Sequence, residues 1–240
     1  MKDIIKSHLP NFLFFYLLNV VLIFRLICFK KPIFYCKVCE QKNRGYLVGL
    51  PPTFSICCVN CSSLSRQRML ADYLAKELVF NKKILHFAPE IGLMNFIKKL
   101  NPDQYICGDL NPKSNHEKIN IEKINYPDNY FDLIIASHVL EHVDDNACLS
   151  ELRRVIKKNG RVLLMFPVIN SWDKTYKNEK IVKPYERELH FGQFDHVRYY
   201  GNDVEDLFIN HGFQFEKIIA DGEDSVNYGL ERGETIYVLS

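Results

Sequence analysis

The sequence predicts an α/β fold in which buried strands alternate with helices, and three stretches of the chain carry this prediction. Residues 83–109 contain a short apolar run, a turn at Pro89, apolar residues at helical spacing and a second apolar run that ends at Asp109. Residues 131–143 and 150–167 continue the alternation of strand and helix. Such a series is typical of a mostly parallel sheet whose strands are connected by helices.

Length and composition favour one such domain with a small appendage. The chain has 240 residues, of which 47% are hydrophobic, as is ordinary for a globular core. Its formal net charge is only +2, and it has no long run of like charges. This charge produces no long-range field that would favour nucleic acid, so composition gives no support for a nucleic-acid partner.

Residues 12–29 form an apolar run in which Asn19 and Arg25 are the clearly polar side chains. The run just reaches the length needed to span a bilayer, and Arg25 lies close enough to one end to reach the interface. Residues 1–32 are therefore predicted to form a hydrophobic helix that spans the membrane or lies in its plane, the alternative being a helix buried on the globular domain. Lysines are denser after the run than before it, which predicts that the rest of the chain is cytoplasmic, at the inner face of the membrane.

The spacing of the cysteines predicts a metal site. Cys36 and Cys39 form one CxxC pair, and Cys58 and Cys61 form a second pair. Two such pairs can bring four thiolates around Zn²⁺, and four cysteines leave no open coordination position. We therefore expect a structural zinc ribbon over residues 33–63.

Cys57 also lies in this region and could compete with its neighbour Cys58. Only Cys58 keeps the two-residue gap to Cys61, so we assign Cys58 to the zinc site. Clustered thiols in CxxC pairs point to metal rather than to disulfides, which fits a reducing compartment.

Residues 64–79 predict a helix whose apolar face carries one tyrosine and three leucines. Arg66 and Arg68 fall outside this face. We expect both arginines to be solvated, the alternative being that they help to bind an acidic substrate beside the ribbon.

Several motifs together resemble the class I S-adenosylmethionine (SAM)-dependent methyltransferases. They are HFAPE at 86–90, FDLIIASHVLEHV at 131–143 and SELRRVIKKNGRVLLMFP at 150–167. Together with HFAPE, the motif HFGQFDHVRYYG at 190–201 is similar to a branch that carries a cysteine ribbon before the catalytic domain. The resemblance covers roughly residues 33–218. It implies a Rossmann-like, seven-stranded, mostly parallel sheet with helices on both faces, in a domain that we expect to span residues 64–240.

The resemblance also implies that SAM binds at the turn after the first strand of this domain. Backbone amides from Phe87 to Gly92 would approach the amino-acid part of the cofactor. Ala88 and Glu90 stand where the family has glycines; Glu90 would hold the cofactor's ammonium or sulfonium side, or would instead stabilise the helix dipole. His86 replaces an acid often found here, and we expect it to be a core or hydrogen-bonding histidine.

Further cofactor contacts are expected from the next strands. Asp109 would accept hydrogen bonds from the ribose hydroxyls, the alternative being an acid that caps the loop before Asn111. Leu110 would pack on adenine, and the amide oxygen of Asn120 would accept a bond from the adenine amino group. Ser137 falls at the rim of the same cleft. The predicted cofactor-binding residues are His86, Phe87, Ala88, Glu90, Gly92, Asp109, Leu110, Asn120 and Ser137.

Histidines near the cleft are candidates for the base that accepts a proton from the methyl acceptor, because imidazole titrates near neutral pH. His138 and His142 are expected to share one helical face, with Glu141 orienting one of them; alternatively, one contacts the cofactor and the others are structural. The long connection 168–200 predicts a lid or substrate-binding insertion. The predicted catalytic residues are His138, Glu141, His142, His190 and His196.

The function implied is transfer of a methyl group to an oxygen or nitrogen of an acceptor. A small molecule or a glycan or lipid-linked intermediate of envelope synthesis would suit a membrane anchor and a polar, aromatic insertion. One alternative is an RNA-base methyltransferase that uses the zinc ribbon to bind RNA. Another is a non-catalytic, zinc-dependent interaction module with a degenerate cofactor fold.

Overall fold

The computed structural model describes residues 33–48, 55–77, 79–112 and 116–240. The predicted hydrophobic helix at 1–32, with its apolar run at 12–29, lies outside these ranges. Within them, every helix is too short or too polar to cross a bilayer.

Strands and helices alternate along most of the described chain. The strands are β1 Ile33–Cys36, β2 Gln41–Val48, β3 Ser55–Cys58, β4 Lys83–Phe87, β5 Gln104–Asp109, β6 Glu117–Lys118, β7 Phe131–Ser137, β8 Ile156–Met165, β9 Tyr176–Lys177, β10 Arg198–Tyr199, β11 Phe215–Ile219 and β12 Thr235–Leu239. The α-helices are α1 Ser65–Lys76, α2 Ile91–Lys99, α3 Asp145–Val155, α4 Pro184–Phe191, α5 Val204–Asn210 and α6 Gly222–Asn227, and a 3₁₀ turn covers Leu140–His142.

A seven-stranded sheet forms the centre of the molecule. Its strand order is β11-β12-β8-β7-β4-β5-β6. The strands from β8 to β6 pair in parallel, whereas β12 runs antiparallel to both of its neighbours. This arrangement confirms the predicted seven-stranded, mostly parallel sheet.

Successive residues of a strand point to opposite faces of the sheet. Residues on both faces of this sheet are buried. Leu85 of β4 packs in a core layer with residues of α3 and α5, such as Leu149 and Phe208. Its neighbour Ile84 packs in the other layer with residues of α1 and α2, such as Leu74. The predicted helices on both faces of the sheet are therefore confirmed.

One predicted boundary is wrong. A glycine that follows lysines at the end of a helical stretch, as Gly160 does, predicts the end of a helix, but Gly160 lies inside β8, which follows α3 directly. Ile156 pairs with Phe131 and Arg161 pairs with Leu133, so five positions of β8 span only two of β7. The intervening lysines, asparagine and glycine form a large bulge in the strand.

The cysteine-bearing segment forms an antiparallel sheet of its own in the order β1-β2-β3. Phe34 and Val38 from this ribbon are buried in the same core layer as α1 and α2. The Cα of Gly92 in α2 also faces the ribbon, since a β carbon there would lie 3.4 Å from Val38 Cγ1. The ribbon thus shares the apolar core on one face of the central sheet.

Arg68 corrects the expectation of a solvated arginine face on α1. Its side chain is fully buried. The guanidinium lies 4.7 Å from the Phe34 ring and donates to four backbone carbonyls, which replace the water it has lost. These carbonyls belong to Ile56, Ser63, Tyr228 and Gly229.

The carbonyls bound by Arg68 come from regions far apart in sequence. Ile56 lies in β3 of the ribbon, whereas Tyr228 and Gly229 follow α6 near the end of the chain. Gly229 has φ +63°, and a β carbon there would lie 2.9 Å from Phe34 Cγ. This segment therefore needs glycine both for its backbone conformation and for its approach to the ribbon.

We expect Arg68→Met to lower the free energy of unfolding by roughly 3 kcal/mol, because it leaves several buried carbonyls without a donor. Urea unfolding of the full chain measures this change. The control is Arg232→Met at an exposed position, which should change stability by less than about 0.5 kcal/mol. Equal losses in the two variants would contradict the role assigned to Arg68.

Candidate active site

The candidate site lies where β7, β4 and β5 end side by side. These three strands are adjacent and parallel, so their carboxyl ends meet at one edge of the sheet. Ligands of open α/β sheets bind outside this edge. Ala88, Asp109 and His138 follow or end the three strands and come together there.

Two of these residues adopt a backbone conformation that is unusual for a side chain with a β carbon. Ala88 has φ +44° and His138 has φ +55°. The amide of Ala88 donates to Gly108 O (2.9 Å) and the amide of His138 donates to Met165 O (2.7 Å). Such left-handed residues are costly and cluster at functional sites, so this edge is a candidate site by its backbone alone.

The turn after β4 leads into α2 through Pro89 and Glu90. Glu90 is the N-cap residue of α2, one position before its first turn. Its Oε1 accepts a hydrogen bond from Arg66 Nε at 3.2 Å. Arg66 therefore belongs to the site region, where it fixes the acid that was expected to face the cofactor. Gly92 follows in the first turn of α2, with its Cα toward the ribbon.

His86 and Phe87 contribute buried side chains to the core. His86 Nδ1 is hydrogen-bonded to the Tyr105 hydroxyl at 2.8 Å. Burial lowers the pKa of His86 to about 4, so its ring is neutral at physiological pH. This geometry fits the expected hydrogen-bonding core histidine. The side chain of Phe87 is also buried, so only its backbone is available at the carboxyl end of β4.

Asp109 has the loop-capping role that the sequence offered as one alternative. Its Oδ1 accepts from the amide of Asn111 at 2.9 Å and so caps the loop. Its Oδ2 lies 4.0 Å from His116 Nδ1, and the side chain is 26% exposed. The carboxylate is therefore partly accessible to solvent. Leu110 next to it is 50% exposed and offers an apolar surface.

Asn120 lies between two buried isoleucines in the following loop. Its Oδ1 accepts a hydrogen bond from the amide of Glu122 at 3.0 Å. An amide oxygen has a second lone pair, so this contact is compatible with one further donor.

The end of β7 places three more predicted residues together. Ser137 is buried, and its Oγ has no hydrogen-bond partner within the described ranges. His138 Nδ1 lies 3.1 Å from Glu141 Oε1, so Glu141 orients His138. His138 and His142 do not share a helical face, because His138 is left-handed and precedes the 3₁₀ turn that contains His142.

The insertion docks on this turn. The amide of Val197 donates to Glu141 O at 3.0 Å. The rings of His142 and His196 meet edge to face with centroids 4.7 Å apart. His196 Nδ1 lies 3.1 Å from Phe191 O, and burial lowers the pKa of His196. The end of the insertion, at His196 and Val197, therefore packs against the turn after β7 and lines the candidate site.

His190 is held differently from the other predicted catalytic residues. Its Nδ1 is hydrogen-bonded to the Tyr176 hydroxyl at 2.7 Å, and its ring stacks on the same tyrosine. These contacts lie within the insertion. The structure thus joins four of the five predicted catalytic residues in one group and gives His190 a separate environment.

Sequence reasoning missed a buried ion pair beside this group. Arg198 Nη1 lies 2.7 Å from Asp145 Oδ2, and both side chains are about nine-tenths buried. Arg198 also donates to the Tyr200 hydroxyl, which in turn donates to Leu140 O. In the sequence, Arg198 is one arginine of a polar insertion and Asp145 is one acid near the start of a helix. Both features are common, so the sequence does not predict that these two residues form a pair.

The four predicted zinc ligands lie together in the ribbon, all within 4.8 Å of one another. Cys36 and Cys61 have sulfurs 3.6 Å apart, and the sulfurs of Cys39 and Cys58 are 3.9 Å apart. A tetrahedron with zinc–sulfur bonds of about 2.3 Å has edges of about 3.8 Å, so the four sulfurs fit Zn²⁺. The sulfur of Cys57 instead faces the carbonyl of Cys58.

Polar groups around the sulfurs also suit a metal-bound thiolate cluster. Asn43 Nδ2 lies 3.3 Å from Cys39 Sγ. Ser63 Oγ lies 3.2 Å from the sulfurs of both Cys36 and Cys61. Such outer contacts orient metal ligands and stabilise their negative charge.

We expect Ala88→Gly to keep or slightly raise the free energy of unfolding, because relief of about 1 kcal/mol of backbone strain offsets the added flexibility of the unfolded chain. Ala88→Val should lower it by roughly 2 kcal/mol, since a β-branched residue fits poorly at φ +44°. Chemical denaturation compares the two variants.

The exposed helical position Ala75 supplies a control, where Ala75→Val should cost less than about 1 kcal/mol. Equal stability of Ala88→Gly and Ala88→Val would show that the turn carries no strain.

Short segments of the chain are similar to curated proteins. An uncharacterized protein of Methanocaldococcus jannaschii is 38% identical over 60 residues, 25% of each chain. The ubiquinone/menaquinone biosynthesis C-methyltransferase UbiE of Cupriavidus taiwanensis is 44% identical over 45 residues, 18% of each chain. The chain therefore spans a quarter or less of the length of the curated relatives it matches.

The fold is similar to that of solved enzymes. The crystal structure of a SAM-dependent methyltransferase from Mesorhizobium loti superimposes with a TM-score of 0.51 at 14% sequence identity, covering 72% of this chain and 96% of the other. This chain therefore has the fold of the SAM-dependent methyltransferases, and its residues 93–164, from α2 to β8, match the family described as Methyltransferase domain.

Proposed function

We propose that this chain transfers a methyl group from SAM to an oxygen or nitrogen atom of an acceptor. The observation that carries the proposal is the group at one edge of the sheet: the turn at Ala88, the accessible carboxylate of Asp109, and His138 held by Glu141. These three features follow adjacent parallel strands, at the edge where open α/β sheets bind ligands.

The residues around Ala88 and Asp109 fit SAM. The partly exposed carboxylate of Asp109 would accept a hydrogen bond from a ribose hydroxyl, and exposed Leu110 would cover one face of adenine. Amides at the start of α2 would receive the cofactor's carboxylate. When bound, SAM supplies a methyl group on a sulfonium that is already a strong electrophile.

His138 is the base favoured by this geometry. Its Nδ1 lies 3.1 Å from Glu141 Oε1, so the neutral ring donates from Nδ1 and keeps a lone pair on Nε2. The side chain is about one-third exposed and can reach an acceptor. Nε2 would take the proton that the acceptor oxygen or nitrogen loses as its bond to the methyl carbon forms. The bond from the methyl carbon to sulfur would break in the same step, and the cofactor would leave as a neutral thioether.

The insertion supports an acceptor with many hydroxyl groups, such as a glycan or a lipid-linked glycan. Trp172 packs edge to face against Tyr176 and Tyr199, with ring centroids 6.4 and 6.2 Å away. Aromatic faces suit the C–H surface of sugars, while nearby polar groups can bind hydroxyls. The similarity to UbiE covers too little of either chain to suggest its acceptor.

Calorimetry of the full, zinc-loaded chain with SAM tests the proposed function. We expect micromolar binding that Asp109→Asn weakens by about 1–3 kcal/mol, which is roughly 5- to 150-fold. The matched control is Asp103→Asn at an exposed position just before β5, which should leave the affinity unchanged. A folded protein that does not bind SAM would instead favour the non-catalytic interaction module.

We further propose that the four-cysteine cluster binds one structural zinc ion. The Co²⁺-loaded chain should show thiolate-to-metal charge-transfer absorption, because four sulfurs would ligate the ion. Cys39→Ser should lose most of this absorption and unfold at a lower temperature, whereas Cys57→Ser should retain it. Unchanged absorption in Cys39→Ser would refute the ligand set.

A further inference from the structure

A second group of metal-ligating side chains lies at the end of β7. Glu141, His142 and His196 each offer one ligand atom, and these atoms lie within 4.8 Å of one another. The group is held together by the bond from the Val197 amide to Glu141 O and by the edge-to-face contact of the two imidazoles. It is separate from the four cysteines, and its ligand types are nitrogen and oxygen.

Glu141 gives independent reason to expect a cation. Its side chain is only 1% exposed. Oε1 is engaged by His138, but Oε2 is buried without a hydrogen-bond partner among the residues that the structure describes. A buried carboxylate oxygen that has lost water is costly unless a donor or a cation replaces it.

His196 is oriented as a metal ligand would be. A backbone carbonyl can only accept, so Nδ1 of the neutral ring donates to Phe191 O at 3.1 Å. This bond fixes the tautomer and leaves the lone pair on Nε2. A bond from the second ring nitrogen to a carbonyl is the usual way in which proteins orient histidines that bind metals.

His142 is oriented from the solvent side. Its Nδ1 lies 3.4 Å from Asp195 Oδ2, and the Asp195 side chain is 43% exposed. Asp195 would therefore orient the ring of His142, in the same way that the carbonyl of Phe191 orients the ring of His196.

We propose that Glu141, His142 and His196 bind one divalent transition-metal ion, with Zn²⁺ as the natural candidate. Two imidazoles and one carboxylate suit Zn²⁺ and its neighbours, whereas Mg²⁺ and Ca²⁺ prefer sites made of oxygen ligands. Three protein ligands leave a coordination position open, in contrast to the closed four-cysteine site.

The open position suggests what the ion would bind. Two of the three ligands, Glu141 and His142, lie in the turn after β7, beside the His138 that we propose as the base. A hydroxyl of the acceptor bound to the ion would become more acidic and would be held for proton loss. This use of the ion depends on the proposed function, but the binding of the ion does not.

Metal counting on the full chain tests the site. The protein is stripped with a chelator, loaded with Co²⁺, dialysed and analysed for ions per chain. We expect two ions, of which only one gives thiolate charge-transfer absorption. His196→Ala and Glu141→Gln should lose the second ion while keeping that absorption, which also shows that the ribbon remains folded. His211→Gln should keep both ions, because the Nδ1 of His211 is hydrogen-bonded to Leu207 O of the preceding helix, away from the proposed ligands.

The affinity for the second ion separates ligands from orienting residues. His196→Ala should weaken it by more than about 100-fold, and Asp195→Asn by about 10- to 100-fold, the range for groups that orient ligands. A wild-type chain that holds only the thiolate-bound ion would overturn the proposal, as would a second ion that survives in both His196→Ala and Glu141→Gln. These readouts need no SAM, so they remain valid if the proposed function fails.

Discussion

The burial of one guanidinium holds together parts of the chain that are far apart in sequence. Arg68 donates to carbonyls of the ribbon and of the segment before β12. Burial lowers the pKa of Arg68, and negative charge on Cys36 and Cys58 opposes this effect. A zinc ion bound by four thiolates keeps a net negative charge, so a metal in the ribbon and the buried arginine would stabilise each other.

The hydrogen bonds of Arg68 also help to position residues beside the candidate site. Arg68 holds α1 in place, and Arg66 two residues earlier reaches Glu90 at the turn after β4. Ser65, at the start of the same helix, donates to Glu234, and burial raises the pKa of that carboxyl. The ribbon is therefore more than an appendage, because its contacts help to position the first turn of α1 beside the candidate site.

Apolar runs predicted the alternation of strands and helices, and the family resemblance added the seven-stranded sheet. CxxC spacing predicted which four cysteines lie together. Helical periodicity predicted that Arg68 is exposed to solvent. The pattern within one helix gives no information on other parts of the chain that pack against it, and here the ribbon and the segment at Gly229 bury this arginine. The spacing of His138 and His142 suggested one helical face, but the left-handed backbone at His138 interrupts the helix. The meeting of Glu141 with His196 depends on how the insertion docks, and no local pattern reports such a contact.

The insertion docks through both apolar burial and charge. Phe191 and Tyr200 are fully buried, whereas Leu189 on α4 is 83% exposed. Where the insertion meets the turn after β7, the contacts are the buried pair of Arg198 with Asp145 and the bond from Val197 to Glu141. A buried ion pair is sensitive to geometry, because removal of either partner leaves a charge without compensation. The same contacts that hold the insertion therefore also set the positions of the imidazoles around Glu141, so the proposed metal site depends on how the insertion packs against the turn after β7.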